Sequence, residues 1–121
     1  MTEIAAIINY FSNFATCYPS DAVPDDPKYP YLTVEPRIGF FDDGNVPVQV
    51  QLWHRTESDA DVNAIVRDIG RDIDYGGMPV PCDGGWVWIK RGSPFVVPVT
   101  VTDDDSIKRR LINVSLEYFN Y

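Results

Sequence analysis

Apolar and polar residues alternate with a period of two along the end of the chain and again near its middle, while two other stretches repeat with a helical period. Over residues 107–119, Ile112, Val114, Leu116 and Tyr118 fall on one side and Asn113, Ser115 and Glu117 on the other, which predicts one long strand. Val46, Val48, Val50 and Leu52 alternate with Gln49, Gln51 and Trp53, predicting a half-buried strand that ends with His54 at its rim. Residues 86–91 are apolar on both faces. Trp86, Trp88 and Lys90 share one, and Val87, Ile89 and Arg91 the other, so this strand needs cover on each side from another layer or another chain. Residues 31–35 read as a short strand between Pro30 and Pro36. Ile4, Ile7, Ile8 and Phe11 predict a helix over residues 3–15, capped by Thr2 and stopped at Pro19. Val62, Ile65, Val66, Ile69 and Ile73 predict a second, capped by Thr56 or Ser58 with acids in its first turn. Its solvated face is then Asp61, Arg67, Asp68, Arg71 and Asp72.

Turn chemistry joins these elements. Asp83-Gly84-Gly85 supplies the positive φ of a tight hairpin, with residues 78–82 as the first arm. Asp42-Asp43-Gly44-Asn45 is a turn, Gly76-Gly77 closes the second helical unit, and Gly92-Ser93-Pro94 is expected to turn the chain once more. Residues 95–101 are apolar, but Pro98 removes a ladder hydrogen bond, which predicts an edge strand or extended arm. Residues 20–30, acidic and rich in proline, and residues 102–106 are surface loops. The order helix, strand, strand, helix, hairpin, strand makes residues 1–121 a single α+β domain: an antiparallel or mixed sheet with two helices packed on one face. Two helical stripes cannot cover both faces of a sheet carrying Trp53, Trp86, Trp88 and Tyr118, so some aromatic surface is expected to meet another subunit.

Composition narrows the function classes. A chain of 121 residues with 45% hydrophobic and 23% charged residues is globular, and no apolar run reaches the ~18 residues of a membrane helix. The start, Met1-Thr2-Glu3-Ile4, is acidic where a secretory signal is basic, so a cytoplasmic origin is expected. Cys17 and Cys82 lack metal-ligand spacing and stand beside a single histidine, which argues against zinc; in a reducing compartment both act as small apolar residues. The Asp42 turn is similar to the opening of a calcium loop, yet the later ligands do not follow. The paired glycines fit no phosphate-binding motif. His54 has no nucleophile and orienting acid arranged with it, so no enzyme and no cofactor is indicated. A net charge of −8 argues against binding nucleic acid, including any sequence-specific kind. Five of the ten basic residues, Lys90, Arg91, Lys108, Arg109 and Arg110, follow the hairpin turn. An acidic end and a basic end suit head-to-tail self-association, with scattered solvated charge as the plainer alternative.

One pattern reaches beyond generic strand sequence. Trp86-x-Trp88-Ile89-Lys90-Arg91-Gly92-x-Pro94-Phe95, an acidic loop, and Arg109-Arg110-x-Ile112-Asn113-x-Ser115-x-Glu117-Tyr118-Phe119 follow Pro30-Tyr31-Leu32-Thr33 and Val50-Gln51-Leu52-Trp53-His54-Arg55. Over residues 30–119 this resembles the small tail-completion, or tail-terminator-like, proteins of long-tailed bacteriophages. The resemblance implies a tail-terminator-like fold and a non-enzymatic homo-oligomer, commonly a hexameric ring. Such a ring caps the tail tube and joins it to a neck or head-completion protein, in a virion assembled in the host cytoplasm. The candidate subunit or tube contacts are Trp86, Trp88, Lys90, Arg91, Phe95, Val97, Lys108, Arg109 and Arg110. Tube-facing candidates are the loop at residues 42–45, the turn at 92–95 and the arm through Pro98, with Phe95 either set outward by Gly92 and Pro94 or packed as plain core. The alternative from another class is a small acidic module that binds or inhibits a host or phage protein by blocking a basic surface.

Overall fold

The computed structural model describes residues 1–74, 76–100 and 106–120. Helix α1 spans Glu3–Phe11, with Thr2 Oγ1 accepting the Ala5 N–H at 3.1 Å. It buries Ala6, Ile7, Tyr10 and Phe11, so the apolar stripe is rotated from the expected one and Ile4 and Ile8 lie half-buried. The helix ends at Phe11 rather than residue 15 because its last carbonyls find side-chain donors: Ser12 Oγ to Ile8 O at 2.8 Å and Asn13 Nδ2 to Tyr10 O at 2.9 Å. The chain so released forms β1 (Thr16–Pro19), a strand not expected from the sequence, parallel to β2 (Tyr31–Val34).

Next come β3 (Asn45–Arg55), α2 (Asp59–Ile73), β4 (Met78–Cys82), β5 (Gly85–Val99) and β6 (Ile107–Asn120). Ser58 is the α2 cap, accepting the Ala60 N–H, while Thr56 Oγ1 accepts the Ser58 N–H and donates to Asp61. Among the described residues the strands form one six-stranded mixed sheet, ordered β1-β2-β3-β6-β5-β4, in which only β1 and β2 run parallel. The last strand thus lies inside the sheet, where both its edges are paired.

Register sets the two faces. Leu52, Val50 and Val48 of β3, Ile112, Val114, Leu116 and Tyr118 of β6, and Val87 and Ile89 of β5 all point toward the helices and are buried. Ile7 and Phe11 from α1 and Val62, Ile69 and Ile73 from α2 complete this core, each such side chain stabilising the fold by about 1.5–3 kcal/mol. Helix α1 touches β1 at one edge and β4 at the other, so the sheet curls around the helical layer. Tyr10 Oη donates to Asp72 Oδ2 at 2.5 Å and ties α1 to α2, so Asp72 is not merely solvated.

The hairpin forms as expected, with Gly84 at φ 79° in the turn. Gly92-Ser93-Pro94 does not turn the chain. Arg91 pairs with Val114 and Val96 with Ile112, so residues 92–95 stand opposite Asn113 alone and form a bulge within one continuous strand. Asn113 Nδ2 donates to Pro94 O at 2.9 Å and pins it. Beyond the bulge β5 pairs with β6, while β4 covers only Gly85–Ile89 of its other side. Pro98 therefore sits in an edge segment, as its missing N–H requires. Of the expected acidic loop, residues 102–105 lie outside the described residues.

Candidate interaction surface

The face of the sheet turned away from the helices carries two aromatic groups separated by polar residues. At one end, Tyr31 of β2 stacks on Trp53 of β3 at 6.2 Å and 9°, with Tyr18 and Tyr29 against Tyr31. The Arg109 guanidinium lies 4.6 Å from the Trp53 ring, and its Nε donates to Gln51 at 2.7 Å. The row follows from register, because Tyr31 lies opposite Trp53 and Trp53 opposite Arg109. In the middle, Lys90 Nζ reaches Asn45 at 2.8 Å and Glu117 at 2.9 Å. At the other end Trp86 stacks on Phe119 at 5.1 Å, and Phe41 meets Phe119 edge-on at 6.0 Å. Phe41, Trp86 and Phe119 line a hollow of about 350 Å³ together with Gly85 and Asn120.

Next to this second group, the chain between β2 and β3 holds large apolar side chains in solvent: Ile38 is 75% exposed, Phe40 65%, Phe41 66%, and Trp86 beside them 45%. The loop is held rather than loose. The buried Tyr118 hydroxyl donates to Arg37 O at 3.3 Å, and the Tyr118 ring lies against Gly39, where an added Cβ would fall 2.0 Å from Cε2. Phe41–Asp43 forms a single 3-10 turn in which Asp43 N donates to Phe40 O at 3.0 Å and Asp43 Oδ2 accepts the Phe40 N–H at 2.8 Å. A fixed loop that offers apolar side chains to water has already met much of the ordering cost of binding.

The structure separates the residues singled out from the sequence. Trp86 is on this surface, and Trp88 beside it is half-buried, its Nε1 donating to Gly76 O at 2.8 Å and its ring 5.1 Å from Lys90 Nζ. Arg91 is exposed, and Val97 lies on the open face opposite Leu111. Tyr118 belongs to the core and adds nothing to the aromatic surface, since β6 directs it to the helical side with Leu116. Phe95 is not set outward: the bulge lays it on α2 at Gly70, packed against the core. Lys108, Arg109 and Arg110 are not a free basic patch. Lys108 Nζ lies 3.8 Å and Arg110 Nη2 3.3 Å from Asp59 in the first turn of α2, and the Arg110 side chain is only 12% exposed. Sequence reasoning missed Ile38, Phe40, Phe41 and Phe119. The signal for the first three is a run of large apolar residues between two turns, where neither period applies.

Burial pushes the Cys17 thiol up to about 12. Tyr10 is also raised, chiefly by burial and then by its hydrogen bond to Asp72. His54 is half-buried at the end of β3, and its Nδ1 has no hydrogen-bond partner among the described residues. Among the described residues no three His, Cys, Asp or Glu side chains gather as a metal ion requires, and no helix is long and apolar enough to cross a membrane. No protein-family model and no curated protein sequence matches this chain.

Proposed function

We propose that this chain is a non-enzymatic virion structural protein of a long-tailed phage, closing the tail tube as an oligomeric ring and joining it to the neck of the head. The observation that carries this is the pre-ordered apolar loop at residues 38–41 beside the Trp86–Phe119 pair, a protein-binding surface on a strongly acidic chain. The resemblance of the sequence pattern to tail-completion proteins is what suggests the partners: a tail tube protein on one side, a neck or head-completion protein on the other, and further copies around the ring. The edge half of β5, with Val97 and Pro98, presents one unpaired strand edge to the tube end, and occupying that end leaves no site for further addition.

The test is tube growth. Purified protein added to polymerising tail-tube protein should halt elongation and cap one end of each tube in electron micrographs. Tubes of unchanged length and bare ends, at any protein concentration that stays soluble, would remove the tail-capping reading.

A further inference from the structure

A groove of about 620 Å³ runs between α2 and the bulged half of β5. Val66, Gly70, Phe95 and Val96 form its floor, and Arg67, Arg71 and Arg91 stand on its rim, with Asp74 at one end. Gly70 keeps it open, because a helical residue without a side chain lets the Phe95 ring lie directly on the backbone, 3.2 Å from where a Cβ would be. Arg67 and Arg71 are one helical turn apart, and the β5 bulge brings Arg91 to them. All three are exposed, and among the described residues none has an ion-pair partner, although acids outnumber bases 18 to 10 along the chain. Three guanidinium groups left unpaired in so acidic a molecule offer charge-assisted hydrogen bonds to acid from outside it.

The loop of residues 38–43 has the complementary pattern. Ile38, Phe40 and Phe41 are apolar and exposed, and Asp42 and Asp43 follow them directly, both also exposed. Loop and groove occupy different places on the molecule. The loop packs at the C-terminal end of β6, against Tyr118 and Phe119, whereas the groove lies on the helical side near the β6 residues Ile112 and Val114. A contact between them is heterologous, and heterologous contacts close into rings when the rotation allows.

We propose that the groove between α2 and the bulged half of β5 receives the 38–43 loop of a second copy of this chain, apolar side chains on the floor and acids against the arginines. This rests on the ring reading above for taking the partner to be another copy.

Charge exchange tests it. Asp42→Lys with Asp43→Asn reverses the loop while leaving an amide oxygen to accept the Phe40 N–H, and Arg67→Glu with Arg71→Glu reverses the groove; all four positions are exposed, and circular dichroism checks the fold of each variant. A third variant, Phe40→Ser, removes apolar contact without touching charge. Sedimentation and native mass spectrometry should show ring formation by the unaltered chain, weakened about tenfold or more in each variant. An equimolar mixture of the loop-reversed and groove-reversed chains should recover assembly with the two alternating, because each reversed loop meets a reversed groove. If the unaltered chain forms rings and the variants match it, this contact is wrong while the ring reading stands. Weakened variants whose mixture does not recover show that loop and groove have different partners, which also overturns the pairing. An unaltered chain that stays monomeric even with tail tubes removes both.

Discussion

Single side chains in this protein act through what they exclude from water as much as through what they bind. Cys17 keeps its proton in the folded state up to about pH 12, whereas in the unfolded chain it titrates near its ordinary 9.0; Tyr10, buried and donating to Asp72, is displaced in the same direction. Over that window the unfolded chain binds fewer protons than the folded one, so stability is fully present below pH 9.0 and falls as pH rises toward 12. Each group contributes up to about 1.4 kcal/mol per pH unit to the slope. Denaturation midpoints measured up this alkaline limb should drop steadily, and Cys17→Ala and Tyr10→Phe should each flatten the drop; a slope unchanged in both variants would show that other groups set it. The alternating positions of β3 and β6 were legible because burial there follows parity, one face covered by helices and one open. Phe95 was not, since its direction depends on a bulge that shifts register between Arg91 and Val96 and so resets which face each residue occupies.

Elements with their own period were readable, and those set by a partner were not. Both helices and the long strands carry their pattern locally, but β1 is four residues ending in Pro19, which reads as a stop until β2 offers it a parallel ladder. The Gly92-Ser93-Pro94 stretch has the chemistry of a turn, and only pairing with β6 on both sides of it makes it a bulge. The same dependence on partners governs the basic end of β6. Arg110, nearly buried, holds Asp59 at the start of α2 and also donates to Arg109 O at 3.2 Å, while Lys108 makes a longer, more open pair with the same carboxylate. Arg110→Glu removes charge-assisted hydrogen bonds of about 1.5–3 kcal/mol and sets a second carboxylate beside Asp59. Lys108→Glu should cost only about 0–1 kcal/mol. Chemical denaturation of the two variants separates them, and equal losses would mean that the strand-to-helix tie is not specific to Arg110. Reversal of the whole triplet is accordingly expected to damage the fold itself, so it is a poor probe of assembly.

For the molecule as a whole, assembly sets a local attraction against a global repulsion. Each copy carries a formal charge of −8, so copies brought together in a ring repel at long range, while the proposed contact places Asp42 and Asp43 against Arg67, Arg71 and Arg91 at short range. Salt acts on these two ranges differently. The screening length is about 30 Å at 0.01 M, about 8 Å at 0.15 M and about 3 Å at 1 M. Raising salt from the lowest value therefore removes the repulsion between whole copies first, and only later weakens charges in contact at a partly apolar interface. Ring formation by sedimentation should be poor near 0.01 M, strongest around 0.15 M and weaker again toward 1 M sodium chloride. In the Phe40→Ser variant the maximum should be lower but remain at a similar salt concentration, because that change alters contact without altering charge. In the loop-reversed variant the net charge is less negative, so the rise at low salt should shrink along with the maximum. A steady loss of association from the lowest salt upward would mean that attraction dominates at every range, and the acidic surface would then play no part in limiting how these copies come together.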